Sequence, residues 1–389
     1  MHTDRGSSCG TINWKAARAL ATVPGRLART PSIAVNDGIT YVLGNNVPTL
    51  LKAFAPNDLL TIVTLDGRTI APPHGDHLFM HPRAAFDAQK RMHLIWGEPM
   101  RREYRESVMW IQANTSELWT AVRDTNGGWT EPKLLYSGVG TLLWNPQFTS
   151  HLSGSRGRLG FAVPVINAQP RIAFVQFENG AWSVREFVGQ SGISAATAIR
   201  NNDFYVAYLS AANGVGQDIN SVFLITSADR GNSWSLPELV QRSGTSPANA
   251  LRLEIGTDGV LHLLWDQWKG QQGHVIRHFV RPPGSGVWKM SDNFPQPNSL
   301  GTVQTAIDAC DRLHVVFESY DNLGARGSVA YAQWNGRWSA SQNLFEEMRP
   351  MDPALTILPD GRIGLAMSLR IGNDTNNLHH TAGWAESRE

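Results

Sequence analysis

Seven segments of the chain share one pattern, a turn built from Gly, Asn, Asp or Pro followed by a run of β-branched, aromatic and aliphatic residues. They begin at Asn36, Gln89, Arg156, Asn201, Thr257, Cys310 and Pro359. Matching positions within the runs are Tyr41, His93, Gly160, Tyr205, His262, His314 and Gly364, spaced by 52, 67, 45, 57, 52 and 50 residues. Seven units of about 56 residues fill the 389-residue chain, which is the signature of a repeat architecture.

Each unit has a second half with its own mark: a strand, a Gly-containing turn, a Trp and another strand, as around Trp129, Trp182, Trp234, Trp288 and Trp338. Two hairpins per unit make one four-stranded blade. The last unit lacks a fourth strand, whereas the chain begins with an isolated strand-like stretch around Trp14. The pattern therefore predicts an all-β, seven-bladed β-propeller with four-stranded antiparallel blades. It is expected to form a single domain over residues 1–389, closed by pairing of the N- and C-terminal strands. The blades are expected at about 31–75, 81–138, 145–190, 193–243, 246–292, 299–345 and 349–389 plus 10–22.

Composition narrows the function. With 42% hydrophobic residues and 14 Trp there is material for a large core, and a net charge of +1 without any basic block argues against nucleic acid as a partner. No run of about 18 apolar residues points to a membrane. The first residues lack the apolar stretch of a secretory leader, so a cytoplasmic, monomeric protein is expected, or a secreted one if a leader was removed. Two cysteines make no disulfide framework. Cys9 falls in a tail and Cys310 in an apolar run, so both are read as reduced thiols. His93, His262 and His314 share one strand position and are read as blade-packing residues.

Ser227, Asp229, Gly231 and Trp234 stand at the spacing Ser-x-Asp-x-Gly-x-x-Trp. This resembles the Asp-box of sialidases and related propellers, and Asp124 with Trp129 keeps part of it. The resemblance implies that the box lies between the third and fourth strands, on the face opposite the active site. The productive face would then carry the loops entering each first strand, including Arg29-Thr30-Pro31, and those joining second to third strands.

On that face, residues 75–107 resemble a repeat of propeller polysaccharide lyases, in which a His before a Pro-led first strand faces the axis near a second ionisable group. Here His77 or His81 would be the first group and Glu98 the second. A uronate lyase needs a base, a cation for the enolate and an acid for the leaving oxygen. His81, Arg83 and Tyr104 or Tyr320 would fill those roles. Arg29 resembles the carboxylate-binding Arg of sialidases, with Arg83, Arg326 and Arg370 as partners and Glu318 and Tyr320 as a nucleophile pair. Glu98, Asp266 and Glu318 all end second strands, a geometry open to a paired-carboxylate glycosidase. Trp144, Trp268 and Tyr320 would stack on sugar rings, with Asn145, Asp266 and Gln267 bonding hydroxyls. No cofactor or metal is expected, although His74, His77 and His81 have a spacing open to a divalent ion.

The expected function is a carbohydrate-active enzyme, a lyase or glycoside hydrolase, acting on an acidic saccharide or glycoside at the central funnel. One alternative is a noncatalytic carbohydrate- or protein-binding propeller, which calls for similar loops in every blade. Another is an intracellular small-molecule lyase, cyclase or isomerase on the same scaffold.

Overall fold

The computed structural model describes residues 12–21, 26–48, 60–75, 77–99, 115–137, 141–142, 152–155, 157–166, 171–188, 192–210, 221–242, 248–268, 274–291, 294–295, 299–320, 327–345, 351–371 and 379–388. Within them lie seven antiparallel sheets and no helix. Blade 1 is Arg26–Asn36, Ile39–Pro48, Leu60–Thr64 and Thr69–Ile70; blade 2 is Met80–Phe86, Met92–Pro99, Thr115–Arg123 and Lys133–Ser137. In blade 3 the inner strand comes in two pieces, Thr141–Leu142 and Ser153–Ser155, both paired with Arg158–Ile166, followed by Arg171–Glu178 and Ala181–Val188. Blades 4, 5 and 6 start at Gly192–Arg200, Ala248–Ile255 and Ser299–Ile307, and each steps outward through three more strands.

Blade 7 is assembled from both ends of the chain. Met351–Ile357 and Ile363–Ile371 are followed by His379–Arg388, whose outer edge pairs with Asn13–Trp14 and Arg18–Ala21. The predicted closure is therefore present, with a break between the two N-terminal pieces, and it covers an edge that would otherwise be open to another chain.

The apolar runs are continuous because a radial sheet buries both faces. Among the described residues the core divides into seven clusters, one between each pair of neighbouring blades. Adjacent residues of a second strand go to opposite clusters, as the two-residue period requires. Leu94 and Trp96 pack toward blade 1 while Ile95 packs toward blade 3, and Val315 and Phe317 face blade 5 while Val316 faces blade 7.

The Ser227–Trp234 turn joins the third and fourth strands of blade 4. Asp229 accepts hydrogen bonds from Ser227 Oγ and from Ser233 N and Oγ, which holds its carboxyl down at about 2. Gly231, at φ 83°, donates its N–H to Ser227 Oγ and accepts from Trp234 Nε1. The turn lies at the same end of the blade as the hairpins joining first to second strands, so the opposite end carries the entries to the inner strands.

Two expectations need correction. Arg29-Thr30-Pro31 is not an entry loop; it lies inside the inner strand of blade 1, where a bulge between Arg29 and Ser32 takes Pro31 out of the hydrogen-bond ladder. Cys310 is disulfide-bonded and half-buried in the turn between Ser299–Ile307 and Leu313–Tyr320, rather than a thiol in an apolar strand.

Candidate active site

The inner strands of six blades break register near their axial entry. The shifts fall between Arg29 and Ser32, Met80 and Arg83, Gly192 and Ser194, Ala248 and Leu251, Ser299 and Val303, and Met351 and Ala354. A bulge turns the side chain it carries away from the regular alternation. In three consecutive blades the bulge holds an x-Pro pair: Asp352-Pro353, Thr30-Pro31 and His81-Pro82. His81 and Asp352 both sit in the left-handed region, at φ 48° and 50°, a conformation uncommon outside glycine that is found at functional sites.

His81 is 5% exposed, and neither ring nitrogen has a hydrogen-bond partner. Burial, helped by the charge of Arg83, pushes it down to about 3, so the ring is neutral at ordinary pH. Arg83 is also buried and lowered to about 10 by desolvation. Arg252, on the inner strand of blade 5, is fully buried and lowered to about 9 by desolvation and then by the charge of Arg83, against the pull of Glu254. The inner strands therefore hold a neutral imidazole beside one guanidinium, Arg83, whose charge also acts on a second, Arg252. A cavity of about 390 Å³ that Arg83 borders is lined by inner strands, with Ser32, Glu254, Gln304 and Thr356 among its other polar residues.

The three carboxylates that end second strands are each engaged. Glu98, 2% exposed, accepts at Oε1 from His77 Nδ1 at 2.7 Å, Trp96 Nε1 at 2.8 Å and Leu78 N at 3.2 Å. His77 packs its ring against Trp96 and Trp119, so this cluster pins the approach to His81. Glu318 accepts from Asp352 N at 2.5 Å, tying blade 6 to the bulge of blade 7. Asp266 pairs with His274 Nδ1 at 2.6 Å within blade 5.

Of the residues singled out from sequence, His81 and Arg83 come together, as do His77 and Glu98. Tyr104, Trp144, Asn145 and Arg326 lie outside the described residues, as do the side chains of Arg29, Trp268, Tyr320 and Arg370. Among the described residues no three His, Cys, Asp or Glu side chains converge as metal ligands, and His77 is committed to Glu98. Sequence reasoning missed Arg252, Glu254 and Asp352. The signal for the first two was available: within the apolar stretch 250–255, Arg and Glu stand two apart, on one face of the strand.

No protein-family model matches the chain, and no curated protein matches it. Solved structures do share its fold. A polysaccharide lyase described as a PL25 ulvan lyase superposes with a TM-score of 0.59 at 11% identity, covering 95% of each chain. The polysaccharide lyase Uly1 gives 0.57 at 14% identity, over 100% of this chain and 95% of that one. A protein of unknown function from Dyadobacter fermentans DSM 18053 gives 0.53 at 11% identity, over 97% and 99%. At these identities the likeness is one of fold, and the fold it defines is the seven-bladed propeller described above.

Proposed function

We propose that the protein is a carbohydrate-active enzyme that cleaves an acidic polysaccharide by β-elimination at the axial end of the propeller. The observation that carries this reading is His81, a neutral buried imidazole with both nitrogens unpartnered, set beside the buried cation Arg83. In a uronate-containing chain the proton α to the carboxylate is removed, the electron pair forms the C4–C5 double bond, and the glycosidic oxygen leaves from C4 and is protonated by water, the hydroxide so formed being neutralised by the proton that the base gives up. His81 takes the proton and Arg83, in the field of Arg252, neutralises the carboxylate as charge develops on it. Acidic substrate also raises the proton affinity of His81, because its carboxylate offsets the repulsion from Arg83.

The fold likeness supports the class of substrate. One of the matching lyase structures is described as bound to -[GlcA(1-4)Rha3S]-, an acidic saccharide. Elimination is favoured over paired-carboxylate hydrolysis because Glu98, Glu318 and Asp266 each serve a structural hydrogen bond. The disulfide at Cys310 supports an oxidising compartment, the setting of a secreted enzyme.

The test is to incubate the protein with a panel of uronate-containing and neutral polysaccharides. Elimination gives new ultraviolet absorbance from the unsaturated uronate together with new reducing ends, and His81→Gln removes both. Reducing ends without that absorbance would mean hydrolysis, and saturable binding without either would mean a binding propeller.

A further inference from the structure

The inner strands share one register, and it divides the axis into two chambers. Ser32, Arg83, Ala196, Arg252, Gln304 and Ala354 each pair with the residue two beyond the repeated second-strand position, so they lie at one level around the axis. Two of these positions are arginines, in blades 2 and 5. Those blades stand three apart in the ring of seven and face each other across the axis, near enough for the charge of Arg83 to act on Arg252.

Exposure changes at that level. Ser32, Arg83, Arg252 and Ala354 are buried, whereas Val35, Phe86, Glu254 and Ile357, two or three residues further along the same strands, are partly exposed. The axis is thus closed at the arginines and open to water toward the end that carries the hairpins joining first to second strands. The cavity of about 390 Å³ is this open part, and His81, on the entry side of Arg83, does not line it. Glu254, Gln304 and Thr356, from three neighbouring blades, are partly exposed on its wall. Thr305 Oγ1 donates to Glu254 Oε1 at 2.6 Å and holds that carboxylate in place.

We propose that this well on the hairpin side is a binding site for a small hydroxylated carboxylate, of the size and kind of a sugar acid. The ligand's carboxylate lies at the closed end, in the field of Arg83 and Arg252. Two cations there outweigh the one carboxylate of the wall, Glu254, and a narrow low-dielectric cleft concentrates that field. Its hydroxyls reach Glu254, Gln304 and Thr356; Glu254 accepts from them and repels the ligand's own carboxylate, which fixes the orientation. A volume of about 390 Å³ is within the range of small-molecule sites. The site opens at the end opposite the strand entries, so it stands whether or not the entry end carries out elimination.

The test uses the full chain with D-gluconate and sorbitol as probes, in calorimetry at low salt and in soaked crystals. Gluconate is expected to bind with a Kd on the order of 1 mM, and sorbitol, alike but for the carboxylate, at least about tenfold more weakly. Ala306→Phe, which fills the well from blade 6, should abolish gluconate binding; Ala85→Phe, from blade 2, serves if the first variant does not fold. His81→Gln should leave gluconate binding unchanged, which separates this site from the proposed catalytic centre. A well that holds only water in soaked crystals, equal binding of gluconate and sorbitol, binding unchanged in a folded Phe variant, or binding lost with His81→Gln overturns the proposal.

Discussion

Glu98 Oε1 lies 2.7 Å from His77 Nδ1 and anchors, through the same oxygen, the backbone of Leu78 and the indole of Trp96. One carboxylate thus fixes the segment that leads into the bulge carrying His81. Replacing it with Ala strands several buried donors at once, each costing about 1–3 kcal/mol. Glu98→Ala is therefore expected to lower stability by roughly 3 kcal/mol or more in urea denaturation, and Glu98→Gln, which keeps an acceptor, by clearly less. Equal losses in the two variants would argue against the anchoring role.

His81 behaves in the opposite way. Its ring nitrogens make no hydrogen bonds in the fold, so His81→Gln should leave the urea midpoint within about 1 kcal/mol of the parent. Under the proposed mechanism the same change lowers kcat at least a hundredfold, since general acid–base residues contribute about 10²–10⁴. A variant with unchanged kcat removes His81 from the chemistry.

Acid sensitivity follows from the buried histidines. Burial lowers His262 to about 4 and, with the charge of His262 adding, His278 well below its ordinary value; burial and the charge of Arg83 lower His81 to about 3. In the unfolded chain these rings take a proton near pH 6.5. Their stability contribution is thus complete above that value and is lost as pH falls toward the folded values, about 3 kcal/mol for His262 alone. Denaturation midpoints measured from pH 7.5 to 4.5 should fall steadily. A flat profile would show that these rings are not held neutral.

Cys310 gives a simple chemical check. As a disulfide-bonded residue it should resist maleimide labelling in denaturant and become reactive after reduction. Labelling of the unreduced protein at Cys310 would restore the thiol reading.

The fold was legible because each blade repeats its punctuation, and because a two-faced strand writes continuous apolar runs at regular spacing. The start of the inner strand was harder to read: Pro31, Pro82 and Pro353 look like loop residues, yet a bulge accommodates them inside the ladder. His81 and Arg83 stood out by sequence proximity. Arg252 did not, because its relation to Arg83 depends on two inner strands facing one axis, and Cys310 was misplaced because a turn and a strand end look alike at that point.

Blade 7 is built from two parts of the chain far apart in sequence, Asn13–Trp14 and Arg18–Ala21 on one side and Met351–Ile357, Ile363–Ile371 and His379–Arg388 on the other. The contact that closes the ring thus carries the loop-closure entropy of a very long intervening chain, and contacts of that kind are rewarded only after the local hairpins have formed.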